Sequence, residues 1–190
     1  MAAIGERLTG GRHVHAAARA VLLCLLAALA MPQPAAAETV TPPESFLAGA
    51  FDGAPPKPKA LWLTPDVRKS VERIMGHRLP VLRLRYWRKG ARTAWVLEEI
   101  GKEQPITAGF VVEKGELKEV ALLIYRESRG GEIRYPYFRD QFVGARLGPD
   151  LALDADIDGI SGATLSVHAM QRMARLALYL HGIVAGTRAP

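Results

Sequence analysis

The chain has 190 residues, 25 Lys/Arg against 19 Asp/Glu, a net charge of +6, 49% hydrophobic residues and a single cysteine, Cys24. One cysteine, placed inside an apolar leader, leaves the remainder without disulfides, cysteine-ligated iron–sulfur clusters or covalent c-type haem. Removing residues 1–37 takes away three Lys/Arg and one Asp/Glu and leaves 22 against 18, a mildly basic +4.

The chain opens with Arg7, Arg12 and Arg19, then an apolar run from Ala20 to Met31, then Ala35-Ala36-Ala37. That run is short of the ~20 residues a membrane helix needs, and small residues ahead of Glu38 suit signal peptidase. The pattern predicts a signal peptide over 1–37, cut after Ala37, and a periplasmic protein with no nucleic-acid partner. A lipoprotein reading of Cys24 requires a small residue before it, and Leu23 stands there.

Residues 38–59 are Pro-rich, with Pro42-Pro43 and Pro55-Pro56-Lys57-Pro58 around a short apolar patch, Phe46-Leu47 and Phe51. They read as a tether with one docking turn, followed by a domain over 60–190. Ala60 to Leu63 is a short strand. Thr64-Pro65 supplies an N-cap and a Pro at the first helical position, for a helix with Val67, Val71, Ile74 and Met75 on one face and Gly76 at its end.

Two hairpins follow. Leu82, Leu84 and Tyr86 alternate with arginines, Lys89-Gly90 turns, and Thr93 to Leu97 returns. Arg83, Arg85, Arg88, Lys89 and Arg92 put positive charge on this hairpin, as a solvated face or a surface for an acidic partner or lipid headgroups. Ile106 to Glu113 then passes through Lys114-Gly115 into Leu117 to Tyr125, where Val120 to Ile124 is apolar enough for a central strand covered on both faces. Its far end, Arg126-Glu127-Ser128-Arg129-Gly130-Gly131, is a turn. Tyr135 to Phe142 starts a short helix or turn whose aromatics suit core packing or the walls of a flat ring.

Asp154-Ala155-Asp156-Ile157-Asp158-Gly159 matches positions 1, 3, 5 and 6 of a calcium-binding EF-hand loop. Position 12, where a bidentate Glu belongs, is Leu165, and Arg146 to Pro149 is a poor entering helix. His77, His168 and His181 are scattered, although His168 shares a helix face with Thr164. The sequence carries no phosphate loop, dinucleotide fingerprint or Ser-His-Asp set, so NAD is not expected.

The same acidic stretch runs into Asp158-Gly159-Ile160-Ser161-Gly162-Ala163-Thr164, just before the last amphipathic run, in which Ala169, Met170, Met173, Leu176, Ala177 and Leu180 recur at helical spacing. It reads as a loop entering a helix, with Ser161 a good N-cap type. Unpaired N–H groups and the positive end of the helix dipole would favour an anion at Thr164, and a phosphate is the obvious one.

Asp158, Gly159, Ser161, Gly162, Ala163 and Thr164 together resemble the acceptor motif of FMN-binding domains, in which FMN is joined through its phosphate to a threonine hydroxyl. Such domains occur in the C subunit of sodium-pumping NADH:quinone oxidoreductase, in the G subunit of the Rnf complex, and in small exported bacterial proteins. The resemblance, over roughly 105–180, implies that Thr164 is the acceptor of a covalent phosphoester. It also implies a flavin transferase that uses FAD and magnesium. In the family a strand ends in a Glu and a Gly-containing turn near the flavin; here the acid is Glu127, with Ser128-Arg129 where a threonine and a proline are common.

The expectation is a single α+β domain, an antiparallel sheet of hairpins with packed helices, and an FMN acceptor loop before the C-terminal helix. Its function would be that of an exported electron carrier in a membrane-associated redox chain, with a redox partner that the sequence does not name. The alternative from another class is a redox-inert exported binding module, stabilised by calcium in one version.

Overall fold

The computed structural model describes residues 37–188; Cys24, the basic leader and almost all of the expected signal peptide lie outside the described residues. Six strands form one antiparallel sheet: β1 (Glu38–Thr39), β2 (Lys59–Trp62), β3 (Arg83–Lys89), β4 (Arg92–Ile100), β5 (Pro105–Glu113) and β6 (Glu116–Tyr125). Their spatial order is β1-β6-β5-β4-β3-β2. Four α-helices accompany it: α1 (Pro43–Ala50), α2 (Pro65–Met75), α3 (Pro136–Arg139) and α4 (Thr164–Ala185). This is the expected α+β domain.

Local chemistry sets most of these boundaries. In α2 the Thr64 hydroxyl accepts from the Val67 N–H at 3.5 Å, and Gly76 closes the helix with φ 78°. Between β5 and β6, Lys114 and Gly115 both take positive φ, 53° and 77°, which fits a two-residue hairpin turn whose twist matches its strands. The β4–β5 ladder runs without interruption from Arg92↔Glu113 to Ile100↔Pro105, whereas β5–β6 shifts register twice, between Thr107 and Ala108 and between Val111 and Val112. β3 begins at Arg83, leaving Leu82 just outside the ladder and exposed.

The 22 residues of α4 span about 33 Å and lie across β4, β5 and β6, with α2 alongside. Met170, Met173, Leu176, Ala177 and Leu180 join Trp95, Ile106, Phe110 and Leu122 in the main core. No helix among the described residues is long and apolar enough to cross a membrane.

Residues 38–51, expected as tether with a docking turn, contribute a strand and a helix. β1 pairs Glu38 and Thr39 with Tyr125 and Ile124 of β6, while α1 drives Phe46, Leu47 and Phe51 into a second core with Ala94, Val111, Ala121 and Leu123 on the other sheet face. Gly109 makes room for it: a Cβ there would meet the Phe46 ring at 2.6 Å. Val120 to Leu123 are thereby buried on both faces, as expected, although the neighbour that makes β6 internal is only the two-residue β1.

Between β6 and α4, the Tyr135–Phe142 aromatics divide. Phe138 and Phe142 pack edge to face at 5.5 Å inside the core, while Tyr135 and Tyr137 stack on each other at 6.0 Å on the surface.

Candidate functional site

Antiparallel pairing brings the C-terminal ends of β4 and β6 and the start of β5 to one end of the sheet. The 101–104 turn and the 126–131 turn therefore lie side by side there. Glu127 locks them together: its Oε1 accepts from the backbone N–H groups of Lys102, Glu103 and Gln104 at 2.5, 2.7 and 3.0 Å. Burial alone would raise this carboxyl, but the three donors hold it below the usual range for Glu. Gly101 is needed for the fit, because a Cβ there would stand 2.9 Å from Glu127 Oε1.

The second turn also grips the acceptor loop. Gly130, at φ 79°, packs so closely that a Cβ would lie 3.1 Å from the Tyr125 hydroxyl, 3.2 Å from Ala163 Cβ and 3.3 Å from Ser166 Oγ. The Tyr125 hydroxyl donates to the Arg129 carbonyl. These contacts fix the start of α4 against the end of β6.

The start of α4 is chemically open. Its N-cap is Ala163, with no side-chain cap, so Ser161 does not take the capping role that its residue type suggests. Gly162, at φ 81°, turns the chain one step too late for the Ser161 hydroxyl to serve the first turn. Ala163 N–H donates to the Ile160 carbonyl and Val167 N–H to the Ala163 carbonyl, but among the described residues nothing accepts from the N–H groups of Thr164, Leu165 or Ser166.

Thr164 is exposed and lines a cleft of about 540 Å³ with Lys102, Glu103, Glu127, Ser128, Arg129 and Gly162. A second hollow of about 480 Å³ shares Ser128, Arg129 and Gly162 with it and continues past Ser161 to Arg134 and Tyr135. These volumes fall in the range of small-molecule sites. The two adjoining spaces hold an exposed hydroxyl, open N–H donors, the cation of Arg129 and the Tyr135 ring, a donor set that fits a phosphate attached to a flat aromatic group.

Of the motif residues, Ser161, Gly162, Ala163 and Thr164 meet Glu127 at these spaces. Asp158 and Gly159 do not: they are exposed and line a separate cleft of about 560 Å³ with Asp156, Gln171 and Arg175. The Asp158 N–H donates to Gln141 Oε1 at 2.7 Å. Of the other calcium-loop candidates, Asp154 Oδ1 accepts from the Arg146 N–H at 2.7 Å. Among the described residues no three His, Cys, Asp or Glu side chains converge as a metal site.

The histidines are better placed than their spacing suggests. His168 is exposed. His77 Nε2 meets Glu99 Oε2 at 2.9 Å, and Glu99, 5% exposed, also takes the Arg172 Nη2 at 2.9 Å; hydrogen bonding to Glu99 raises the His77 pKa. His181 is buried between the Thr93 hydroxyl at 2.9 Å and the Gly115 N–H at 3.2 Å, and burial, followed by the charge of Arg88, lowers its pKa. Sequence reasoning missed the 101–104 turn, whose one local signal was Gly101; it expected the 126–131 turn beside the flavin but not the close packing of Gly130 on Tyr125, Ala163 and Ser166.

No curated protein matches the chain. Residues 101–179 match the FMN-binding domain, a span that starts at the turn held by Glu127, takes in the whole acceptor loop and runs along α4. That span is a flavin-binding module of the FMN-binding domain family.

Proposed function

We propose that the protein is an exported flavoprotein that carries FMN as a phosphoester on Thr164 and relays electrons to or from a membrane-bound redox partner. The observation that carries the reading is the exposed Thr164 hydroxyl, at the first turn of an uncapped helix beside a cleft of about 540 Å³. Ser166, two residues on, is buried, and Ser161 lies back in the loop, so Thr164 is the hydroxyl best presented to an incoming flavin. FMN, when attached, supplies the redox chemistry. Thr164, the open N–H groups of the first turn and Arg129 would hold its phosphate end. Covalent attachment suits a carrier outside the cell membrane, where a dissociating cofactor would be lost.

A threonine hydroxyl is a weak nucleophile unless another group activates and aligns it. Attachment is therefore assigned to a flavin transferase that uses FAD and magnesium, with Asp158 as part of what that enzyme reads. Support comes from the Asp158 position: it is exposed and lines a cleft separate from that of Thr164.

The test is Thr164→Val, which keeps shape and β-branching but removes the hydroxyl. Expressed with a competent transferase, the variant should fold and show no flavin fluorescence on a denaturing gel. Fluorescence retained in the variant would move the acceptor to Ser161. A wild-type protein that never acquires flavin would end the electron-carrier reading.

A further inference from the structure

The charge of the chain is unevenly distributed. Residues 57–92 hold eleven Lys/Arg and two Asp/Glu, whereas the rest of 38–190 holds eleven against sixteen. That basic stretch is β2, α2 and β3, the outer third of the sheet. On β3, Leu84 and Tyr86 turn toward the main core, so Arg83 and Arg85 project from the opposite face, and the pairing Trp62↔Arg83 and Ala60↔Arg85 puts Trp62 and Ala60 beside them.

Helix α1 packs on that face over β4, β5 and β6, and its core reaches Trp87 of β3. Over β2 and the Arg83–Arg85 end of β3 the face is exposed. Trp62 is 58% exposed and Leu82 68%, with Val81 exposed between Leu82 and the Arg68 side chain that binds the Val81 carbonyl. The Arg83 guanidinium lies 5.4 Å from the Trp62 ring centroid. Among the described residues no carboxylate pairs with Lys57, Lys59, Arg83 or Arg85. Protruding Trp and Leu ringed by unpaired cations is the chemistry of a surface that meets lipid headgroups, with the ring at headgroup depth and guanidinium groups on phosphodiesters.

We propose that this face, Trp62, Arg83 and Arg85, together with exposed Val81 and Leu82 at the adjoining strand end, docks on anionic lipid bilayers. Exposed apolar groups favour lipid over an acidic protein surface, because a purely electrostatic partner would leave Trp62 and Leu82 without a function. The geometry has a consequence for the cleft. Trp62 and Arg83 lie at the same end of the sheet as Ile100 and the 101–104 turn, and β3 is three strands from β6, roughly 14 Å at ordinary strand spacing. Docking would hold the Thr164 cleft close to the bilayer surface, within reach of a partner embedded there.

Vesicle binding is measured on flavin-free protein, so its outcome does not depend on where or whether FMN attaches. The purified protein should co-sediment with phosphatidylcholine vesicles containing phosphatidylglycerol far more than with phosphatidylcholine alone, and Trp fluorescence should shift to the blue on binding. Each removed charge should weaken partitioning roughly fivefold, so Arg83→Gln with Arg85→Gln should cost about 25-fold. Trp62→Phe should remove most of the blue shift, since Trp95 is already fully buried and Trp87 is half-buried against the second core. All three positions are exposed, and circular dichroism should show an unchanged fold. Equal binding to both vesicle types, or binding unaffected by these variants, would overturn the proposal. So would failure to bind vesicles, whether the face then proves to hold a second copy in sedimentation or an acidic protein.

Discussion

The two walls of the Thr164 cleft are built on opposite principles. On the β side, Glu127 spends one carboxylate oxygen on three backbone N–H groups, Gly101 and Gly130 permit close approach, and the two turns become one rigid unit. On the helix side, Thr164, Leu165 and Ser166 offer N–H groups that no described residue satisfies, beneath an exposed hydroxyl. The contrast teaches how the chemistry is divided: saturated hydrogen bonding fixes where the site is, and unsaturated hydrogen bonding leaves it able to take an anion. Glu127, expected as a residue near the flavin, is thus a cleft-lining residue whose carboxylate is largely committed to the protein itself.

The comparison can be broken from either wall. The largest effect is expected from a position outside both. Asp158→Ala should sharply reduce flavin loading by the transferase while leaving thermal unfolding near its original midpoint; normal loading would remove Asp158 from recognition. Gly130→Val attacks the rigid wall directly. It combines a β-branched residue at φ 79° with contacts of 3.1–3.3 Å to Tyr125, Ala163 and Ser166, and should lower stability by about 2–4 kcal/mol in denaturant titrations.

Glu127→Gln sharpens the point by pH. The folded-state pKa of Glu127 is depressed, so its contribution is fully present above the ordinary Glu value of about 4.3 and is lost as pH falls through the lower folded value. Wild type should exceed the variant by about 1 kcal/mol at neutral pH, and the gap should close in acid. A gap independent of pH would mean that the charge is not what holds the turns. Ser161→Ala should change stability by less than about 0.5 kcal/mol, because the hydroxyl caps nothing. A larger loss would restore the capping role that its residue type suggests.

How much of this was legible in the chain follows from range. Thr64-Pro65 with Gly76, and Lys114-Gly115 between two apolar runs, carry their structural instructions within a few residues, so α2 and the β5–β6 turn could be read directly. Phe46 could not be placed, because its partner is the missing side chain of Gly109, far along the chain on another element. The Glu127 clamp and the Glu99–Arg172–His77 cluster were hidden for the same reason: each joins segments that only the sheet brings together. Ser161 failed differently. Its residue type was right for a cap, but the positive φ of Gly162 delays the helix until Thr164. The acceptor loop was legible because its residues are contiguous.

The most direct test of the central claim is the intact mass of the wild-type protein, produced with and without a flavin transferase supplied with FAD and magnesium. The account predicts one added FMN less one water only when the transferase is present, with fragmentation placing the adduct on the peptide containing Thr164. An unchanged mass in the presence of a transferase shown to be active on another substrate, or an adduct on a different residue, would contradict it.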